Sequence, residues 1–211
     1  MTEPDERTSA ALIEEGAVRR LLRWMPFALL GHVVIGAPTL IISLVVAYGT
    51  YVQAQATQRM QQAAAWPFVA YDTTNSSDDG KHQVALVLAN NGVGPAMLGP
   101  IEVRYRGQPV RSTMDLLAKC CGYRQGTGAS VATSTSSNVV LRPGESISFL
   151  ALRDVPENAK LIPQLDRERW RLQVRSCYCS IFDDCWTIEG RQAKPKPVKL
   201  CPTDWTVFRE R

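Results

Sequence analysis

Hydrophobic residues are concentrated in one uninterrupted block near the N-terminus of the chain. From Trp24 to Tyr51 the sequence contains no Asp, Glu, Lys or Arg, and the nearest charged residues are Arg23 and Arg59. The hydrocarbon core of a bilayer, about 30 Å thick, needs roughly 20 apolar residues in a helix. A helix without a polar face has no surface that suits water. The pattern therefore predicts a transmembrane helix over residues 25–51.

The charged residues that flank this block predict its orientation. Four arginines precede it, whereas Arg59 is the one basic residue close behind it. Basic residues near a span are retained on the cytoplasmic side, and acidic residues carry little weight in this rule. Residues 1–24 are therefore expected to form a cytoplasmic amphipathic segment. The chain is expected to cross the inner (cytoplasmic) membrane once, with its C-terminal domain periplasmic or otherwise extracytoplasmic.

A cleaved signal peptide is the alternative to a permanent anchor. Ala54-Gln55-Ala56 resembles a small-x-small cleavage site, and it follows basic residues and an apolar core. The apolar block is about twice as long as the core of a signal peptide, and roughly 24 residues precede it, which favours an uncleaved anchor. Cleavage after Ala56 stays open on the sequence alone.

The period of the pattern changes behind the apolar block. Residues 52–65 are rich in Ala and Gln and lack Gly and Pro, which predicts a helical stalk that ends at Trp66-Pro67. Beyond it, short segments of alternating or fully apolar character are separated by turn residues, as in strands. These segments are 68–72, 83–90, 101–107, 139–152 and 170–181. The fold class is therefore mainly β, over a domain that comprises residues 66–211.

Two local signals refine this plan. Ser112, followed three residues later by Asp115, predicts a short capped helix over residues 112–119. Pro143-Gly144 fits the two central positions of a type II turn, which predicts a hairpin at that point.

Strand alternation predicts which side chains face the core. In the segment 101–106, Ile101, Val103 and Tyr105 are expected inside, and the charged residues between them outside. In the segment 170–179, the same rule places Cys177 and Cys179 on the less buried face.

Cysteine usage agrees with the predicted topology. All the cysteines follow the apolar block, at Cys120, Cys121, Cys177, Cys179, Cys185 and Cys201. An even number confined to the exported part of a chain indicates disulfides.

The run Ser176–Trp186 carries the most specific pairing signal. A turn centred on Phe182 would place Cys179 opposite Cys185, at a separation that suits a disulfide. Cys177 then needs a partner elsewhere, with Cys201, Cys120 and Cys121 available. Because adjacent residues point apart, the last two are expected to bond to different elements rather than to each other.

Metal and redox chemistry are the alternatives at these cysteines. The thiolates of Cys177, Cys179 and Cys185 could bind Cu(I) or Zn(II), but the spacing lacks the paired C-x-x-C of zinc sites. A thiol oxidoreductase is disfavoured because no C-x-x-C opens a helix. Structural disulfides are the preferred interpretation, with no metal and no cofactor.

The inventory of other reactive side chains predicts no enzyme. His32 lies in the apolar block and His82 in a polar segment, which leaves no set of residues for a Ser-His-Asp arrangement. Asp183 and Asp184 are expected to be solvated rather than calcium ligands. Lys and Arg exceed Asp and Glu by only 24 to 20. This mild excess predicts no nucleic-acid partner, and no small-molecule substrate is identified.

The segment Asn90-Asn91-Gly92-Val93-Gly94-Pro95-Ala96 follows a predicted strand, and Gly92 and Gly94 are expected to supply positive φ in a tight connection. With the later Pro-Gly-Glu turn and the cysteine-rich C-terminal hairpin Cys177–Trp186, it resembles uncharacterised bacterial single-pass membrane proteins. Those proteins carry an extracytoplasmic immunoglobulin-like β-sandwich. The resemblance covers roughly residues 66–190, and it implies this architecture without implying an activity.

These observations predict a membrane-anchored extracytoplasmic interaction or assembly module without catalytic activity. Its expected partners are the lipid bilayer and another envelope or membrane protein. An envelope redox or metal-handling protein that uses Cys177, Cys179 and Cys185 is one alternative. A transmembrane signalling subunit is the other.

Overall fold

The computed structural model describes residues 6–77, 79–191 and 194–209, with the backbone alone for residues 6–22 and for residue 28. The chain divides into two compact units, Met1–Arg59 and Met60–Arg211.

One long helix, α1 (Glu6–Ala64), covers the predicted span and the predicted stalk without a break, and contains Pro26 and Pro38. Its portion Arg23–Ala64 has a window of mean hydropathy 2.2 with no buried residue. By length and composition this is the one helix among the described residues that is able to cross a membrane, although a signal sequence near an N-terminus would meet the same criterion. The side chains of the predicted amphipathic face in residues 1–22 lie outside the described part of the chain.

A β-rich unit follows α1, which confirms the prediction of a mainly β fold. In the described residues its strands are β1 (Val69–Ser76), β2 (His82–Asn90), β3 (Ala96–Tyr105), β4 (Gln108–Val110), β5 (Val131–Ala132), β6 (Val140–Leu141), β7 (Ser146–Arg153), β8 (Leu172–Cys179), β9 (Cys185–Glu189) and β10 (Lys196–Val198). Two short helices, α2 (Thr113–Cys121) and α3 (Ile162–Glu168), lie between strands.

The described strands form two antiparallel sheets. The smaller sheet, which we call sheet A, has the order β1-β2-β7-β5. The larger sheet, sheet B, has the order β10-β9-β8-β3-β4, with β6 paired to β3. One hydrophobic core takes residues from both sheets, such as Leu86 from β2 and Val174 from β8. Within it the ring of Phe149 lies 6.3 Å from that of Tyr71 and 5.9 Å from that of Phe208. The core thus joins both sheets to the C-terminal segment.

The predicted turn at Pro143-Gly144 is present, but it does not close a hairpin. Glu145 N–H donates to the carbonyl of Arg142 at 3.0 Å, and Gly144 has a φ of 75°. However, β6 pairs with β3, whereas β7 pairs with β2 and β5, so the turn carries the chain from sheet B to sheet A. The reason is burial: β7 is buried on both faces from Phe149 to Leu152 and therefore occupies a position inside its sheet.

Each of the two short helices has a local start signal in the sequence. The helix α2 is confirmed, because the Oγ of Ser112 accepts a hydrogen bond from the N–H of Asp115 at 3.3 Å. The helix α3 was not predicted, although Pro163 in its first turn is a typical start signal.

Candidate functional site

The cysteine-rich hairpin is formed by β8 and β9. The two strands pair from Arg175 opposite Glu189 to Cys179 opposite Cys185. The turn between them is closed by a 2.8 Å hydrogen bond from the N–H of Ser180 to a carbonyl at its other end. The Sγ atoms of Cys179 and Cys185 are 2.02 Å apart, as a disulfide at the predicted position requires.

The second disulfide joins this hairpin to the C-terminal segment, residues 199–209. The Sγ atoms of Cys177 and Cys201 are 2.03 Å apart. Cys177 lies on the less buried face of β8 with Gln173 and Arg175, as predicted, but its own side chain is fully buried. The reason is that the C-terminal segment lies over this face, where Phe208 N–H donates to the carbonyl of Ile101 at 2.8 Å. The alternation of polar and apolar residues in one strand does not show whether a segment distant in the sequence lies over it.

A glycine makes room for the sulfur of Cys201. The register of β3 against β8 shifts between Leu98 and Ile101, and Gly99 lies in this irregularity. A Cβ atom at Gly99 would lie 3.0 Å from the Sγ of Cys201 and 3.2 Å from the carbonyl oxygen of Cys177. A larger residue would therefore press on the second disulfide.

The two disulfides of the hairpin region are in contact. The Sγ of Cys179 lies 3.9 Å from the Sγ of Cys201, and the sulfurs of Cys179, Cys185 and Cys201 all lie within 4.8 Å of one another. Among the described residues this is the one group of three or more side chains with metal-ligand spacing. Because these sulfurs are paired in disulfides, they are not thiolate ligands in this state.

A cleft of about 450 Å³ opens beside the hairpin turn. Its walls come from the turn, from the start of β9 and from β10. They consist of Asp183, Asp184, Cys185, Trp186, Pro197, Val198 and Lys199. Cys185 is thus the disulfide-bonded cysteine that borders this opening. The two aspartates are exposed on the turn, as expected.

The third disulfide corrects a prediction. Cys120 and Cys121 bond to each other at the end of α2, rather than to two different elements. The physical reason is distance: α2 follows the Tyr105 end of β3, whereas Cys179 is opposite Met97 at the other end of that strand. No sulfur of the hairpin region is therefore within reach of this helix.

A buried carboxylate, which the sequence placed on the solvent face, fixes the C-terminal segment to sheet B. Glu102 is 2% exposed. Its carboxylate accepts hydrogen bonds from Arg104 Nε at 2.7 Å, Arg175 Nη1 at 2.9 Å and the Thr206 N–H at 3.0 Å. The guanidinium of Arg175 also stacks over the ring of Trp205, 4.5 Å from its centre. Arg104, two residues after Glu102, was the one local signal for this cluster, since Arg175 and Thr206 are distant in the sequence.

The charge of Glu102 is stabilised by its donors. Burial alone raises the pKa of its carboxyl group, but the bonds from the Thr206 N–H, from Arg175 and from Arg104 outweigh that effect. The net result is a pKa below the ordinary value of 4.5. The carboxylate is therefore ionised and fully paired at neutral pH.

The Asn90–Ala96 turn holds the chain where it leaves α1. The buried Asn90 side chain accepts from the N–H groups of Phe68 at 3.2 Å and of Gly92 at 3.0 Å. It donates to the carbonyls of Gly94 at 2.8 Å and Leu141 at 3.0 Å. Both donor hydrogens and both acceptor positions of the Asn90 side-chain amide are therefore used. The turn thus has a structural role.

The glycines of this turn serve close approach and not positive φ, which corrects the prediction. Neither Gly92 nor Gly94 belongs to the described glycines with positive φ. Instead, a Cβ atom at Gly92 would lie 2.6 Å from the carbonyl oxygen of Trp66, and one at Gly94 would overlap the carbonyl of Ala65. The same Trp66 carbonyl accepts from the N–H of Val93 at 3.1 Å. Residues 65–68 and the turn are thus packed backbone against backbone.

The two histidines lie on different elements, His32 on α1 and His82 on β2. His82 Nδ1 lies 3.6 Å from a carboxylate oxygen of Asp154, and both side chains are exposed. His32 lies on the apolar part of α1.

Comparisons with protein-family models, with curated proteins and with solved structures returned no significant match.

Proposed function

We propose that the chain is a membrane-anchored extracytoplasmic module that binds another envelope protein and has no catalytic activity of its own. The observation that carries the proposal is the exposed apolar surface of α1 between Arg23 and Ala64, where no residue of the most apolar window is buried. In water such a surface would be unfavourable by about 25 cal/mol for each Å². In lipid it is the favoured state.

The polar groups within this part of α1 support a lipid environment. The hydroxyl of Thr39 donates to the carbonyl of Ile35 at 2.6 Å, and that of Ser43 donates to the carbonyl of Thr39 at 2.8 Å. Thr50 bonds to Val46 in the same way at 2.8 Å. A hydroxyl that donates a hydrogen bond within its own helix needs no water as a partner inside the bilayer.

We also propose that the β-rich unit is immunoglobulin-like. In that fold, strands A, B, E and D form one sheet and strands C, F and G form the other. The order β1-β2-β7-β5 of sheet A matches A-B-E-D, and the neighbours β3, β8 and β9 of sheet B match C-F-G. The cysteine on the F-equivalent strand bonds to Cys201 rather than to the B-equivalent strand. The proposal therefore rests on strand order alone.

The surface for the partner is placed at one end of this unit, which we call the base. Strand β3 begins at the base and β8 ends there, because Met97 pairs with both Val140 and Cys179. Strand β1 begins there too, because residues 65–68 pack against Gly92 and Gly94 just before β3. Apolar side chains between 43% and 80% exposed lie there, namely Trp66, Val93, Val140, Ile181, Phe182 and Leu200. Scattered apolar residues need no explanation, but several at one end of a domain are typical of an interaction surface.

Site-specific photo-cross-linking tests this function. A benzoylphenylalanine at position 182 replaces an aromatic side chain on the base, whereas one at position 114 replaces Met114, which is 37% exposed on α2. In intact membranes we expect a protein adduct of one reproducible mass at position 182 and none at position 114. The adduct should disappear when Ile181 is changed to Asp.

Two outcomes would contradict the proposal. Adducts of equal yield at both positions would show contact without a specific surface. Lipid adducts at position 182 would show that the base faces the bilayer rather than a protein.

A further inference from the structure

Two disulfides lie side by side on the face of sheet B that the C-terminal segment covers. The Sγ atoms of Cys179 and Cys201 belong to different disulfides and are 3.9 Å apart. We propose that the two disulfides form a thiol–disulfide exchange site for an external dithiol. The dithiol enters at Cys185, and the exchange passes through Cys179 to Cys201.

The cleft of about 450 Å³ beside the hairpin turn is the entrance of this site. Cys185 lines the cleft and is 7% exposed, whereas Cys177 is fully buried and closed to a direct attack. Cys179 and Cys201 are partly exposed. Lys199 lines the same opening and partly offsets the charges of Asp183 and Asp184. The cleft therefore leads to the Cys179–Cys185 bond, and the Cys179 sulfur, once released, lies beside the Cys177–Cys201 bond.

The chemistry is balanced by one dithiol. Its first thiolate attacks the Sγ of Cys185, the bond to Cys179 breaks, and Cys179 leaves as a thiolate. The second thiolate of the dithiol then attacks the dithiol sulfur that is bonded to Cys185. This attack closes a cyclic disulfide and releases the Cys185 sulfur as a thiolate, which takes a proton. The external dithiol is oxidised by two electrons, and one disulfide of the protein is reduced.

The second exchange is internal. The Cys179 thiolate attacks the Sγ of Cys201, a bond forms between these two sulfurs, and the bond from Cys201 to Cys177 breaks. Cys177 leaves as a thiolate and takes a proton, after which it is a small apolar side chain suited to its buried position. The product retains one disulfide, Cys179–Cys201, and has thiols at Cys177 and Cys185.

This exchange would change how the C-terminal segment is attached to sheet B. Its covalent anchor would move two residues along β8, from Cys177 to Cys179, which corresponds to about 7 Å of strand. The hydrogen bond from the Thr206 N–H to Glu102 lies farther along the segment and does not depend on the disulfide. The thiol state of the surroundings would thus set where the start of this segment is attached to β8. The end of the segment would stay in place.

Disulfide mapping of the full-length protein in phospholipid nanodiscs tests the proposal. The protein is treated with less than one equivalent of dithiothreitol, its thiols are blocked with N-ethylmaleimide, and it is digested without reduction by trypsin and chymotrypsin. Cleavage after Tyr178 and Phe182 separates the three cysteines of the hairpin. We expect partly reduced molecules to carry the label on Cys177 and Cys185 and a cross-link between Cys179 and Cys201. Label on Cys179 and Cys185, with Cys177–Cys201 intact, would overturn the proposal.

Two variants test the internal step without a reductant. Cys185→Ser leaves Cys179 as a free thiol beside the second disulfide, and we expect part of the protein to show the Cys179–Cys201 cross-link and label on Cys177. The matched variant Cys179→Ser also leaves one thiol, at Cys185, and should keep Cys177–Cys201 intact. Label confined to Cys179 in the first variant would contradict the exchange.

A rate measurement gives a further criterion. In the double variant Cys179→Ser/Cys185→Ser, the Cys177–Cys201 bond has lost its internal attacker. Its reduction by excess dithiothreitol should be slower than in the wild-type protein by at least about tenfold, because an intramolecular thiolate acts at a high effective concentration. Equal rates would show that this disulfide is reduced directly from solvent.

Discussion

Glu102 is the charged residue on which the attachment of the C-terminal segment depends. Its carboxylate is buried, yet it receives hydrogen bonds from two guanidinium groups and one backbone N–H. A buried charge is tolerated only when it is paired and bonded in this way. The strand pattern suggested an outward position for Glu102. That position is correct for β3 by itself, and the C-terminal segment then covers it.

The variant Glu102→Gln should be less stable than the wild-type protein at neutral pH by about 1.5 to 3 kcal/mol, the range for hydrogen bonds to a charged group. Because the pKa of Glu102 is lowered on folding, its contribution is complete above 4.5 and is lost as the pH falls through the folded-state pKa. The stability difference should therefore shrink below pH 4.5. Urea unfolding at several pH values measures it.

The exposed Glu157 supplies the matched control for this measurement. Glu157→Gln should leave the free energy of unfolding and its pH dependence unchanged. If Glu102→Gln behaved in the same way, the electrostatic role of Glu102 would be refuted.

The bond between Cys120 and Cys121 has a direct mass test. Trypsin cleavage after Lys119 and Arg124 yields a peptide that contains both cysteines and no others. In the absence of reductant its mass should be lower than that of the dithiol form by two hydrogen atoms. Recovery of this peptide joined to a peptide that contains Cys177 or Cys201 would contradict the structure.

At the scale of elements, local sequence signals predicted single elements correctly. Contacts between residues distant in the sequence were not predicted. The capped helix α2 and the Cys179–Cys185 hairpin follow from residues within one element and its turn. The turn at Pro143-Gly144 was predicted, but the sheet that each flanking strand joins depends on the burial of β7 between β2 and β5. The burial of Cys177 likewise depends on residues more than 20 positions away. A one-dimensional pattern does not contain these pairings.

The turn that packs against residues 65–68 gives a prediction at this scale. Gly94→Ala would place a methyl group on the carbonyl of Ala65, where only backbone can yield. It should destabilise the β-rich unit by about 1 to 3 kcal/mol, the usual cost of overpacking. Gly128→Ala is the matched control, since Gly128 has no positive φ and no heavy atom within 4 Å of the added Cβ. A comparison of Tm values decides, and equal values would contradict the packing role of Gly94.

At the scale of the whole molecule, the sequence separates one uncharged apolar block, Trp24–Tyr51, from the part of the chain that holds all its cysteines. The helix and a β-rich unit are both present in the structure. The proposed membrane location rests on solvent physics, and the proposed oxidising compartment rests on thiol chemistry. They are independent arguments, so each can be tested without the other.

A charge placed within the span tests the membrane argument. Leu40→Lys should lower membrane insertion by about 2.5 to 3.5 kcal/mol, the cost of a lysine near the centre of a span. The control Gln55→Lys lies beyond the apolar block and should insert normally. The inserted fraction in a glycosylation-site or alkaline-extraction assay measures both. Equal insertion of the two variants would contradict a span centred near residue 40.

The thiol state of the chain in its own membrane tests the anchor and the oxidising location together. Cells are treated with a membrane-permeant alkylating agent before lysis, and the membranes are washed with alkaline carbonate. The intact mass of the chain is then measured. We expect the chain to stay in the membrane pellet and all six cysteines to be protected from alkylation as disulfides. A chain released into the supernatant with alkylated cysteines would contradict both the anchor and the oxidising location of the domain.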